Sequence, residues 1–275
     1  MPKRLAAASL TMIWLLVPAA PAAAEDAPPE GAELSAGDYL ALLQARGEAV
    51  ASFRGTAALK AYGATEGNFN VAFAYVPPDR GRLEISTPLT GTVLVITARG
   101  DEMLLYYPAD DVAVVAADAD WAFADMLGGG GFYQLVDWLA GRPQLYEADV
   151  DAGAVTLAAE PAGAGRTALT WRRASDGSRL QQVTMSAEPY RLLAARLYEG
   201  EEAVFDVTYD DWRACGEATM PYAVTFKAEE TVVEIAAQKL ETNVPMDDEA
   251  FSTAPPEGAT VMETWPPGTE FDEDE

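Results

Sequence analysis

The sequence predicts a mainly β (α+β) protein: one strongly curved antiparallel sheet with helices inserted into it. Three observations carry that reading. Apolar and polar residues alternate with a period of two from 53 to 107 and again from 155 to 240, as half-buried antiparallel strands require. The runs are short and separated by Gly, Pro, Asp and Ser clusters of the kind that turn the chain. Helical spacing is confined to 35–50 and 120–140.

The chain opens with Lys3 and Arg4, an apolar run over 5–17, prolines at 18 and 21, and Ala22-Ala23-Ala24 before Glu25. This reads as a secretory signal peptide cleaved near Ala24, its apolar run shorter than the ~20 residues a membrane span needs. Residues 25–34 read as a flexible acidic lead. Ser35 then caps a helix, with Asp38 three residues on in a capping-box arrangement and Leu40, Leu43, Gly47 and Val50 at helical spacing.

From Phe53 the period changes to two. Phe53, Ala57 and Leu59 alternate with Arg54, Thr56 and Lys60; after a turn over 63–67, Phe69, Val71, Phe73 and Tyr75 alternate with Asn68, Asn70, Ala72 and Ala74. Pro77-Pro78-Asp79 turns the chain into strands at 82–85 and 93–97, and Gly100-Asp101 into a fifth at 103–107. The pattern breaks after Pro108. Residues 120–127 and 132–140 read as two short helices about the glycine run 128–131, with Trp121, Met126, Leu127, Leu135, Trp138 and Leu139 as buried positions. Gly141-Arg142-Pro143 stops the second helix. Strands resume at 155–159, 168–172, 180–186, 192–198, 203–212, 221–227 and 232–240, with Ser175-Asp176-Gly177 and Glu199-Gly200 as hairpin turns. That makes roughly a dozen strands in a single domain over 35–262. Residues 263–275 read as an acidic disordered tail.

Composition narrows the function. The 275 residues carry a formal charge of −26, with no histidine and one cysteine. Loss of Lys3 and Arg4 with the signal peptide leaves −28, so nucleic acid, which needs a basic surface, is not a partner. His-based triads, Cys-His nucleophiles and ordinary zinc sites are excluded by inventory. Asp110-Asp111, Asp118 with Asp120, Asp210-Asp211 and Asp247-Asp248 read as solvated turns, because 44 acidic residues bring such neighbours together by chance and none follows the EF-hand spacing. The run 128–131 lacks the Lys and Ser/Thr of a phosphate loop. No enzyme signature, metal site or cofactor is expected. Cys215 can form no intramolecular disulfide and reads as a small core or turn residue; no cysteine stands at the cleavage site to be lipidated.

What remains is apolar surface. A curved sheet under helices encloses either an ordinary core, filled by the helices themselves, or a cavity for an acyl chain or another apolar ligand. The candidate lining is Phe69, Val71, Phe73, Leu83, Ile85, Leu94 and Leu105, with Trp138 from the helix at 132–140. The stretch 80–97 poses the question sharply, since its two strands are joined by a loop tipped with Pro88-Leu89 and flanked by Thr87, Thr90 and Gly91. Its own hairpin cannot bury that leucine. Leu89 therefore packs beneath a neighbour, such as the helix at 132–140, or meets something apolar from outside.

The stretch 82–94 resembles the strand, Pro-Leu loop and strand of LolB-like proteins, which accept lipoproteins from the soluble carrier LolA and insert them into the bacterial outer membrane. Residues 53–57 resemble that family's first strand, Met126-Leu127 with 135–143 its helix pair, and 205–212 with 220–224 its late strands. The phrases at 243–251 and 255–259 recur at the end of related envelope proteins. Residues 166–186 add a hairpin beyond the usual LolB length.

The resemblance implies an unclosed β-barrel with an N-terminal helix and an inserted helix pair as lid, around a hydrophobic cavity for the acyl chains of lipoproteins. It makes Pro88 and Leu89 a membrane-contact loop, and Arg54 is read as a tie between lid and sheet. The implied function is that of a soluble periplasmic chaperone that delivers acylated lipoproteins to the outer membrane. It would bind lipoproteins or lipid acyl chains, touch the outer membrane transiently and work as a monomer without covalent chemistry. The alternative is an envelope sensor or interaction module on the same half-barrel.

Overall fold

The computed structural model describes residues 34–63, 66–116, 131–228 and 230–262. The segments expected to be a signal peptide, nearly all of the acidic lead, a first helix with Trp121, Met126 and Leu127, and an acidic tail lie outside the described residues.

Helix α1 (Ala36–Glu48) begins on Ser35, whose Oγ accepts from the Asp38 amide at 3.2 Å while the Ser35 amide donates to Asp38 Oδ2 at 2.8 Å. The reciprocal pair satisfies two amides that a helix start leaves without partners. Tyr39 and Leu43 are its buried residues; Tyr39, rather than Leu40, takes the inward position because its hydroxyl lies 2.8 Å from Thr167 Oγ1.

The first meander comprises β1 (Phe53–Tyr62), β2 (Gly67–Val76), β3 (Arg80–Thr87), β4 (Gly91–Arg99), β5 (Glu102–Tyr107) and β6 (Val112–Ala116). The chain then forms α2 (Phe132–Leu139) and α3 (Glu147–Asp151). The second meander is β7 (Val155–Pro161), β8 (Arg166–Arg173), β9 (Arg179–Ser186), β10 (Leu192–Glu199), β11 (Glu202–Cys215), β12 (Ala218–Ala228) and β13 (Thr231–Thr242), and β14 (Thr260–Met262) follows. The expected break after Pro108 comes one strand later than predicted: β6 is a short apolar run without alternation, so the period-two pattern does not reveal it.

Among the described residues fourteen strands join one sheet in the order β14-β6-β5-β4-β3-β2-β1-β13-β12-β11-β10-β9-β8-β7. Strands β14 and β7 are its two edges and do not pair with one another, so the sheet is an unclosed barrel. Among the described strands only β14 runs parallel to its neighbour, β6. The seam joining the meanders is β1 against β13, where Phe53 faces Thr242. A register shift after Thr56 brings the β13 backbone so close that a Cβ on Gly55 would stand 2.2 Å from the Lys239 carbonyl oxygen. Only glycine fits there.

Facing residues build the inner surface row by row. Gly55 faces Phe73, Phe73 faces Leu83, Leu83 faces Ile96 and Ile96 faces Leu105. Helix α2 lies on this inner side, in contact with Gly81 of β3 and Phe205 of β11. Phe132, Val136, Trp138 and Leu139 are the buried residues of α2. Phe132 and Val136 thus take the role expected of Leu135, which is half-buried. Phe132 lies on Gly81, where an added Cβ would meet its ring at 2.5 Å, and Trp138 packs on Phe205 with ring centres 4.7 Å apart.

The outer face of β3 and β4 is covered as well. Residues 243–262 run back across it, dropping the fully buried Phe251 onto the sheet and anchoring through Arg80 Nη1 to Asp248 Oδ1 (2.5 Å) and Arg82 Nη1 to the Ala250 carbonyl (3.4 Å). Burying one such ring stabilises by about 1.5–3 kcal/mol.

Candidate functional site

The candidate lining residues fall on one face, and their exposure changes along it. Phe73 (7% exposed), Leu83, Leu94, Leu105 and Trp138 are buried, and so is Val71. Ile85 and Phe69 are half-exposed at the ends of β3 and β2 that lead to the 88–90 loop. At the tip of that loop Leu89 is 96% exposed. Exposure along this face thus rises from the floor under α2 toward the loop that carries Leu89.

The loop that carries Leu89 is well tied. Thr87 Oγ1 accepts from the Thr90 amide at 3.0 Å and lies 2.6 Å from Thr90 Oγ1, while Gly91 takes a φ of +75° that side chains rarely adopt. Pro88 is exposed beside the leucine. Leu89 does not pack beneath α2.

Arg54 stands on the opposite face, since strand residues alternate and its neighbours Phe53 and Gly55 point inward. Its Nε donates to Glu241 Oε2 at 2.9 Å, tying β1 to β13 within the sheet. It borders a cavity of about 380 Å³ on the outer face, with Ala72 and Ala74 between Arg82, Glu84 and Lys239. The side chain that does hold the helical segment is Arg142. Its Nη1 donates to the Val50 carbonyl at 3.3 Å and its Nε lies 3.4 Å from Asp137 Oδ1, joining the end of α1 to α2. Tyr133 adds a second tie, its Oη lying 2.7 Å from the Gly100 carbonyl oxygen and 2.9 Å from that of Asp79.

A cavity of about 390 Å³ lies between α1 and the segment after α2, lined by Leu43, Gly47, Asp137, Arg142, Leu145 and Tyr146 among others. That volume is of small-molecule size. Burial pushes the Asp137 carboxyl up to about 6, against the opposing pull of Arg142 and of a hydrogen bond from Tyr75. Among the described residues no group of acidic or sulfur side chains is arranged to hold a metal.

No family model and no curated protein matches the chain. Solved structures do. A LolA superfamily protein from Nitrosomonas europaea matches with a TM-score of 0.51 at 11% identity, over 80% of this chain and 98% of that one. A domain assigned to outer membrane lipoprotein sorting, from Vibrio parahaemolyticus, matches with 0.52 at 12% identity, over 79% and 95%. A DUF1329 family protein from Desulfovibrio piger gives 0.54 at 12% identity, over the same shares. The chain shares the fold of these structures, one of which is a LolA superfamily protein.

Polar side chains buried without partners include two that sequence reasoning did not single out, Arg46 and Tyr209, along with Trp138, which it did. Arg46 on α1 lies over the Trp212 ring, its guanidinium carbon 4.3 Å from the centroid. Tyr209, 5% exposed, stands 6.0 Å from the same ring, centre to centre. Arg46 Nη1, Trp138 Nε1 and the Tyr209 hydroxyl are buried with no hydrogen-bond partner. No local motif announces Arg46 and Tyr209, because what distinguishes them is the absence of partners that the fold alone determines.

Proposed function

We propose that this chain is a soluble periplasmic carrier that shelters the acyl chains of lipoproteins against the inner face of its half-barrel and releases them at the outer membrane. The observation that carries the reading is the rise in exposure along one apolar face, from the floor under α2 to Leu89, which is 96% exposed. Such a face would lead an acyl chain from a bilayer surface toward the interior under α2, and a solvent-facing leucine on a tied loop is otherwise an unrewarded exposure of apolar surface. In this reading α2 is the lid. Only eight residues long, it is held by its buried side and by the Arg142 and Tyr133 ties, so it can lift without breaking the sheet. Phe69, Val71, Phe73, Leu83, Ile85, Leu94, Leu105 and Trp138 are the acyl-contacting set, and Pro88 with Leu89 touches the membrane. The carrier works without covalent chemistry.

The test is to isolate the protein from its native periplasm and identify co-purifying acylated proteins by mass spectrometry, alongside binding of a fluorescent fatty-acyl probe. The reading expects both. Recovery of no acylated protein together with no probe binding would sink it; binding without transfer to acceptor vesicles would favour a sensor on the same half-barrel.

A further inference from the structure

The outer face of the sheet holds a cavity of about 380 Å³ that the carrier reading does not use. It is a trough one strand wide. Ala72 and Ala74 of β2 form its floor, with Arg54 and Thr56 of β1 along one side and Arg82 and Glu84 of β3 along the other. Two alanines between longer neighbours lower that floor, and flanking strands about 10 Å apart leave room for a single extended chain.

The charge of the trough runs against that of the molecule. The chain has 44 acidic and 18 basic residues, yet here Arg54, Arg82 and Lys239 outnumber Glu84 and Glu241. One carboxylate serves two of the cations: Glu241 accepts from Arg54 Nε at 2.9 Å through Oε2 and lies 3.3 Å from Lys239 Nζ through Oε1. Arg82 is set by Glu84 at 2.5 Å and by the Ala250 carbonyl at 3.4 Å. Both Arg54 and Arg82 face Ala74 in the strand register. Two positioned guanidiniums therefore border one apolar floor, and the trough keeps a positive charge that its own carboxylates do not match.

A complementary segment belongs to the same chain. Beyond β14 come residues 263–275, with Glu263, Glu270, Asp272, Glu273, Asp274 and Glu275 and no Lys or Arg. Pro266 and Pro267 favour extended backbone ahead of the last five of these acids. The register sets where the segment starts: Met262 pairs with Val114, Val114 with Leu105, Leu105 with Ile96, Ile96 with Leu83, and Leu83 with Phe73, the residue between the two alanines. Along the sheet, β14 and β2 are five spacings of ~4.8 Å apart, ~24 Å in all. Thirteen extended residues span ~43 Å, and even Glu270, the eighth, reaches ~26 Å.

We propose that residues 263–275 turn back across the outer face and dock in the trough along β2, their carboxylates on Arg54, Arg82 and Lys239 and the Phe271 ring on Ala72 and Ala74. The assignment does not rest on the carrier reading. Docked there, the segment closes the trough to acidic segments of other proteins.

The experiment places a nitroxide on the purified full chain through Thr269→Cys and reads the paramagnetic broadening of backbone amide signals; Cys215 is buried and stays unlabelled under native conditions. The Ala72 and Ala74 amides should broaden at about 10 mM sodium chloride and recover at about 0.5 M, where the screening length falls below 10 Å. Arg54→Gln and Lys239→Gln, whose side chains are 49% and 67% exposed, should each lower the docked fraction about two- to fivefold, the scale of one exposed charge pair. No broadening at Ala72 and Ala74, broadening confined to another part of the sheet, or broadening that both variants leave unchanged overturns the proposal. A mixture of labelled chain without isotope enrichment and unlabelled, enriched chain separates one molecule from two. Broadening in that mixture assigns the trough to the segment of a second copy and overturns docking within the chain; its absence supports it. Should Arg54→Gln fail to fold, Lys239→Gln alone carries the test, and unchanged broadening there counts against the trough.

Discussion

At the scale of single residues, Leu89 and Asp137 make opposite kinds of prediction. Leu89 is 96% exposed and touches nothing that its replacement would lose. Leu89→Glu should leave the melting temperature within about 1 °C, as surface changes do, while lowering partition onto phospholipid vesicles and transfer of cargo; a large drop in melting temperature would mean that the side chain supports the fold. Asp137 is held in the opposite regime, its carboxyl raised by burial to about 6. Because the folded state then binds its proton more tightly than the unfolded state, this group's contribution is full below about pH 4 and is lost as the pH rises through 6. The stability of wild type relative to Asp137→Asn, from urea titrations, should therefore fall between pH 4.5 and 7. A flat difference would show that the carboxyl titrates normally. Leu89 was legible in the sequence as an awkward residue, but its exposure was not, since a turn residue's surroundings are decided by what packs on it from elsewhere.

At the scale of elements, two glycines separate a rigid contact from a yielding one. Gly55→Ala would drive a methyl group into the β13 backbone, and strands of one sheet cannot part locally, so it should destabilise by about 1–3 kcal/mol in a denaturant titration. Gly81→Ala meets only the Phe132 ring. It should press α2 outward and increase the rate at which an acyl probe binds, with a smaller loss of stability; slower binding would argue against α2 as lid. The N-terminal helix could be read from its capping box, and the hairpins from their Gly and Asp turns, because those signals are local. Strand β14 could not, being three residues long and supported by pairing with β6 rather than by its own pattern. The packing of α2 was only partly legible: Trp138 and Leu139 are buried as expected, but the sheet, not the helical spacing, selects Phe132 and Val136 as their companions.

For the whole molecule, alternation and turn spacing were enough to give a curved antiparallel sheet with helices, since each strand records its own half-burial. Strand order is a different kind of information. Nothing local in β1 or β13 marks them as partners, and the seam had to come from the fold. The net charge of −26 acts at this scale too. Self-repulsion opposes compaction, so the melting temperature should rise between about 10 mM and about 0.5 M sodium chloride as the screening length falls from about 30 Å to below 10 Å. A melting temperature insensitive to salt would mean that the charges are already compensated locally.

The seam also sets when folding can finish. Each meander pairs strands that are neighbours in sequence and can close through short loops, yet the bond between Arg54 and Glu241 spans 187 positions. Long-range pairing of this kind pays its loop-closure entropy before it is rewarded. Both halves can therefore take shape as the chain emerges, while β1 waits with one edge unpaired until nearly the whole polypeptide is present. During that interval the exposed edge is the molecule's most vulnerable surface, open to pairing with a second nascent copy.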